Sequence, residues 1–182
     1  MSTVQSLAKL IDAFNERVGK YVAWLALIMV LIQFMVVVMR YIFGIGSIMM
    51  QESVVYMHAI LFMAGAGYTL LHDGHVRVDI FYRDLSIKKK ALINMFGVIF
   101  FLAPVSILLW VSSWSYVRNS WKVLEGSKET SGIQAVFLLK SIILVFVVLI
   151  LLQGISIVLN SLLTLRGVNR KTPQHLNHQP EL

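Results

Sequence analysis

Four long apolar runs, separated by short polar segments, make up most of the chain. They lie between Lys20 and Arg40, from Ser53 to Leu71, from Ala91 to Val117 and from Ser141 to Leu165. Each has the roughly 20 residues that a helix needs to cross a hydrocarbon core about 30 Å thick. The third run also contains Pro104, which predicts a kink or tilt there. The pattern therefore predicts an all-α integral membrane protein with four transmembrane helices.

The first 20 residues have an amphipathic pattern instead. Apolar positions recur at helical spacing opposite charged ones: Val4, Leu7, Ile11, Phe14 and Val18 against Lys9, Asp12, Glu16 and Arg17. This pattern is typical of a helix that lies at a membrane surface. Because the segment lacks the continuous apolar region of a signal peptide, we expect it to be retained. The predicted divisions are an interfacial helix (1–20), a four-span domain (21–166) and a cytoplasmic tail (167–182), whose prolines and aperiodic polar residues predict disorder.

Composition supports a membrane location, and the distribution of charge predicts the orientation of the chain in the membrane. The chain is 58% hydrophobic and 14% charged, with a mean hydropathy of +0.77. Of its 16 lysines and arginines, eleven fall on the side of the two termini and five on the other side. The positive-inside rule therefore predicts that both termini are cytoplasmic. Because the basic residues lie beside the span ends, we expect the net charge of +7 to face membrane lipids and not nucleic acid.

The sequence lacks the motifs that would indicate catalysis or the binding of a nucleotide or metal. It has no phosphate-binding glycine loop, nucleophile elbow or cysteine, and no paired metal-binding histidines on one helix. A haem needs axial ligands from facing helices, and His58 is the only histidine well inside a span. An ion pathway needs ionisable groups or broken helices near the midplane, and the first two spans offer only Gln33 and His58. We therefore predict no enzymatic activity and no catalytic, cofactor or metal site.

Two patterns within the spans predict helix contacts. In the fourth span the polar residues recur at intervals of three and four, so they form one stripe: Gln153, Ser156, Asn160 and Thr164. Lipid cannot satisfy such groups, and the stripe therefore suits packing against another protein. In the second span the run from Ala64 to Gly67 removes side-chain bulk. It favours close approach by a neighbouring helix, either within the chain or from a partner.

A polar stretch, HDGHVRVDIFYRD, separates the second and third runs. Gly74 is expected near the C′ position of the second helix. The residues after it alternate, so an extended segment would place His75, Arg77 and Asp79 on one side and apolar residues on the other. Arg77 and Asp79 are then able to pair with each other or with a partner. The simpler interpretation, a solvated connector, remains open.

An ordered series of motifs resembles one family. The series consists of RYIFG (40–44), Glu52, GAG (65–67), HVRVDIFY (75–82), ETSGI (129–133) and LLQGIS (151–156). Together these are similar to the DctQ-like small membrane subunit of tripartite ATP-independent periplasmic (TRAP) transporters, from about residue 20 to residue 165. The sequence departs from the family pattern at Met50-Gln51 and Ile133-Gln134.

The resemblance implies a cation-driven uptake system, with sodium the expected cation, in a bacterial inner membrane. In such a system a periplasmic binding protein captures an organic acid and a large multi-span subunit moves it, while the small subunit is a scaffold. A stand-alone membrane channel or redox anchor remains the alternative. Arg40 and Glu52 bracket the first periplasmic turn between spans and are able to pair across it. The residues expected at a subunit interface or in a structural role are Arg40, Glu52, Gly65, Gly67, His75, Arg77, Asp79, Gln153 and Asn160.

Overall fold

The computed structural model describes residues 3–76, 82 and 84–167, and all its regular elements are helical. The helices are α1 (Thr3–Ile42), α2 (Ile48–Leu71), α3 (Ile87–Gly97), α4 (Ala103–Lys122) and α5 (Val136–Leu165), with a π-helical turn (Val98–Leu102) joining α3 to α4. Because this turn keeps the helix continuous, the described residues contain four helices long and apolar enough to cross a membrane. The predicted all-α fold with four spans is confirmed.

Helix α1 joins the predicted interfacial segment to the first span without a break. Its 40 residues extend about 60 Å at a rise of 1.5 Å per residue, about twice the hydrocarbon thickness. The buried face in its first half consists of Ala8, Ile11, Asn15 and Gly19. This face is rotated from the predicted apolar stripe, since Leu7 remains 47% exposed. Location of this half at a membrane surface stays a prediction.

Helix α2 ends at Leu71, where the second apolar run ends. Asp73, and not Gly74, has the left-handed conformation, with a φ of 59°. The Gly74 N–H donates to the Thr69 carbonyl (2.8 Å) and the Asp73 N–H to the Leu70 carbonyl (3.4 Å), the two bonds of a Schellman motif. Asp73 therefore occupies C′ and Gly74 follows it. Residues 77–81, where the alternating segment was expected, lie outside the described residues.

The irregularity expected at Pro104 is a π-helical turn that ends two residues before it. Proline lacks an N–H, and its ring clashes with the carbonyl four residues earlier in a regular helix. The wider turn avoids this clash, and the Ala103 N–H donates to the carbonyl of Val98, five residues back. Helix α5 approaches this turn closely, because a Cβ added to Gly154 would lie 3.1 Å from side-chain atoms of Val98 and Leu102.

Helix α5 is the centre of the bundle, since it packs against α1, α2, α3, the π-turn and α4. Helix α1 packs against α2 and α5. The outward surfaces of α1 and α4 consist largely of exposed apolar side chains. These surfaces suit lipid or membrane-embedded protein as their surroundings.

Candidate functional site: a polar network and a loop clamp

A network of polar side chains joins the first half of α1 to the second half of α5. We call it the α1–α5 network; its members are Asp12, Asn15, Gln153, Ser156 and Asn160. The Asn15 amide donates to the Gln153 side-chain carbonyl (2.9 Å), and the Gln153 amide donates to the Asp12 carboxylate (3.1 Å). The Ser156 hydroxyl donates to the same carboxylate oxygen and accepts from the Asn160 amide at 3.3 Å.

The network changes the expected partner of the polar stripe. Gln153, Ser156 and Asn160 are 1%, 0% and 5% exposed, so they face the interior of this chain and not another protein. The stripe faces inward because its partners lie on α1, where Asp12 and Asn15 present matching donors and acceptors. The Gln153 amide is satisfied at both ends only when α1 and α5 are together, because its oxygen accepts from Asn15 and its N–H donates to Asp12. The stripe therefore holds helices of one chain together.

Two glycines give α1 room to approach α2. A Cβ added to Gly67 would lie 2.4 Å from the Asn15 side-chain oxygen and 3.2 Å from the Leu149 carbonyl oxygen. A Cβ added to Gly19 would lie 2.2 Å from the Tyr68 ring. A Cβ added to Gly65 would meet nothing within 4 Å. Gly67 is thus an internal contact, Gly65 faces open space, and the role of Gly19 was not found from the sequence.

At the opposite end of the bundle, Glu52 fastens the loop between α4 and α5. We call this contact the Glu52 clamp. One carboxylate oxygen accepts from the Ser127 hydroxyl and the other from the Ile133 backbone N–H at 2.6 Å. Glu52 therefore does not pair with Arg40, which is exposed and forms no ion pair within the described residues. The loop supplies donors that reach the carboxylate directly, with charge-assisted hydrogen bonds.

A second charged contact holds the same loop. The Lys140 ammonium donates to the Glu125 carboxylate and lies 4.0 Å from the centre of the Tyr116 ring. The hydrogen bond from Lys140 is the largest cause that holds the pKa of Glu125 below its ordinary value of 4.5. Nearby, the Trp121 ring N–H donates to the Ser141 hydroxyl at 2.8 Å. These contacts join the end of α4 to the start of α5.

The strongly polar residues of the first two spans face outward. Gln33 on α1 and His58 on α2 are both exposed, and neither has a hydrogen bond to a described residue. The described part of the chain also contains no group of three or more histidine, cysteine, aspartate or glutamate side chains placed to hold a metal ion. The inward-facing polar groups of the α1–α5 network, in contrast, join helices.

Comparison with known proteins decides the family. The profile described as "Tripartite ATP-independent periplasmic transporters, DctQ component" matches residues 28–164. The chain belongs to the DctQ family. Membership confirms the predicted resemblance and places the chain among transport components and not among enzymes. Together with the four apolar helices, it identifies a multi-pass protein of the inner membrane.

A curated relative of this DctQ-family chain is the C4-dicarboxylate TRAP transporter small permease protein DctQ of Vibrio cholerae serotype O1 (strain ATCC 39315 / El Tor Inaba N16961). The two are 27% identical over 122 residues, which cover 63% of this chain and 52% of the relative. The chain thus matches about half the length of this relative. No solved structure matches the chain.

Some of the candidate residues lie within the range that matches the DctQ family and others lie before it. This range includes the Glu52 clamp, Gln153 and Asn160, but it begins after Asp12 and Asn15, which complete the α1–α5 network.

Near the end of α2, His75 is exposed and lines a groove of about 700 Å³ between α2, α3 and the π-turn. Arg77 and Asp79 lie outside the described residues. The sequence also missed the contact of the His72 ring with Glu16 (2.5 Å), which links the end of α2 to α1.

Proposed function

We propose that this chain is the scaffold subunit of a TRAP transporter, holding a large multi-span subunit in the inner membrane. The supporting observation is the direction of its polar groups. Within the described residues, the inward-facing polar groups of the α1–α5 network join helices, whereas Gln33 and His58 face outward. A rigid bundle with an apolar outer surface suits a subunit that positions another membrane protein.

The complete transporter is proposed to import an organic acid with a cation, sodium being the expected one. A periplasmic binding protein would deliver the acid to the large subunit. The printed name of the Vibrio relative makes C4-dicarboxylates the first substrate class to test. The basic asymmetry supports cytoplasmic termini, which would place the α1–α5 network on the cytoplasmic side and the Glu52 clamp on the periplasmic side.

Reconstitution tests this proposal. The chain is coexpressed with the large TRAP subunit of the same organism, purified through a tag on the chain, and placed in liposomes with the binding protein outside. We expect copurification and sodium-dependent uptake of radiolabelled succinate by the complex, with no uptake by the chain alone. Uptake or ion conductance by the isolated chain, or failure to copurify, would favour the stand-alone alternative.

A further inference from the structure

Helix α2 has one outward surface along most of its length. Between Gln51 and Leu70, only Val55, His58 and Phe62 are exposed. Their spacing of three and then four residues places them on one side of the helix. Gly65 continues this spacing and faces open space, since an added Cβ would meet nothing within 4 Å. We call this surface, formed by Val55, His58, Phe62 and Gly65, the α2 outer face.

His58 is an unusual residue for a surface covered only by lipid. It lies five residues after Ser53, where the apolar run begins, about 7.5 Å along the helix axis and therefore inside a hydrocarbon core about 30 Å thick. Its ring stacks against Phe62 with centroids 4.7 Å apart, but it makes no hydrogen bond to a described residue. A neutral imidazole has one donor and one acceptor nitrogen. In lipid both would be unsatisfied at considerable cost.

The shape of the α2 outer face indicates a helix as its partner. Gly65 leaves a notch one turn from Phe62, and small residues at such positions allow the backbones of two membrane helices to approach. Polar side chains between membrane helices form hydrogen bonds across the contact. An occupant that satisfies both features is a transmembrane helix with a hydrogen-bonding side chain near the level of His58.

We propose that the α2 outer face docks a transmembrane helix of the large subunit, and that this helix supplies an acceptor, a carboxylate or hydroxyl oxygen, to the His58 ring N–H. The inference rests on the proposed scaffold function and names the surface that performs it. It differs from the contacts of Gly67, which faces α1 and α5 of the same chain. Docking would cover the exposed face and satisfy the imidazole.

Site-specific photocrosslinking tests the location. A benzophenone amino acid is placed at Phe62, and as a matched control at Leu108, which is equally exposed (68% each) but lies on α4. We expect the Phe62 position to crosslink to the large subunit at least several times more than the Leu108 position. Crosslinks from Phe62 only to lipid, or to a second copy of this chain, would overturn the proposal. Copurification of the unmodified chain reports on the scaffold function separately.

Substitution of His58 tests the hydrogen bond. His58→Leu suits lipid better than histidine does, so a lipid-facing position predicts unchanged or improved complex yield. Docking through His58 predicts about three- to thirty-fold weaker association with the large subunit, the range for one hydrogen bond between membrane helices. His58→Gln keeps a donor and should recover part of the loss. The isolated His58→Leu chain should melt like the unmodified chain, and equal association of all three proteins would refute the role of His58.

Discussion

Gly67→Ala should destabilise the isolated bundle, whereas Gly65→Ala should not. The two glycines are close in sequence and both lie within α2, so the substitution changes helix propensity alike, by up to about 1 kcal/mol in favour of alanine. Only the surroundings differ. The new methyl group at Gly67 would lie 2.4 Å from the Asn15 side-chain oxygen, while at Gly65 it meets nothing within 4 Å.

The size of the expected destabilisation follows from the contacts that Asn15 would lose. Asn15 is 1% exposed and donates to Gln153 at 2.9 Å, so it has no room to rotate without breaking this bond. Overpacking a tight interior costs about 1–3 kcal/mol, and a buried amide left unsatisfied costs about 1–3 kcal/mol more. The Leu149 carbonyl, 3.2 Å from the new methyl group, prevents a simple shift of α2. We therefore expect Gly67→Ala to lose about 2–6 kcal/mol relative to Gly65→Ala.

The assay is thermal unfolding of the detergent-purified subunit, followed by the fluorescence of its four tryptophans. Gly65→Ala should melt at or above the temperature of the unmodified protein, and Gly67→Ala clearly below it. Asn15→Ala combined with Gly67→Ala should be less destabilised than the sum of the single changes, because the methyl group then fills space vacated by the amide. Equal melting of the two glycine variants would refute the close contact between α1 and α2.

Three further outcomes follow from the loop clamp, the charged pair and the predicted orientation. Glu52→Gln weakens two charge-assisted hydrogen bonds, so limited tryptic cleavage in the α4–α5 loop should become about ten-fold faster or more; unchanged cleavage would contradict the Glu52 clamp. Because the pKa of Glu125 is depressed in the folded chain, its stabilising contact with Lys140 is present above pH 4.5 and is lost as the pH falls further. Glu125→Gln should flatten the dependence of melting temperature on pH in this range, and an equally steep dependence would exclude the contact. With no cysteine background, a cysteine at Thr130 should react with an impermeant reagent in intact spheroplasts and one at Ser86 should not; the reverse pattern would invert the topology.

The spans could be predicted because a membrane imposes a simple rule on length and polarity. About 20 apolar residues are needed for each crossing, and every predicted run lies largely within one of the long helices. Pro104 predicted a kink or tilt in the third span because its covalent structure breaks the hydrogen-bond pattern locally, and the structure has a π-turn near it. Features determined by local chemistry are readable from the sequence.

Contacts between distant residues were less predictable. The sequence allowed Glu52 to pair with Arg40, its nearest basic neighbour beyond the turn, yet its partners Ser127 and Ile133 follow it by 75 and 81 residues. The sequence also treats Gly65 and Gly67 alike. Two residues in a helix differ by about 200° around its axis, so one glycine faces inward and the other outward. Which of them is inward depends on how the bundle packs.

The α1–α5 network also has a consequence for biosynthesis. Asn15 and Gln153 are separated by 138 residues, so Asn15 is made long before its partner. At about 5–20 residues per second, the delay is about 7–28 s. During that time α1 and α2 can insert and pair, but Asp12 and Asn15 have no partners from α5. Any quality-control factor that recognises unpaired polar residues would find them accessible until the fourth span is made, so only synthesis of the last helix hides the polar residues of the first helix from such a factor.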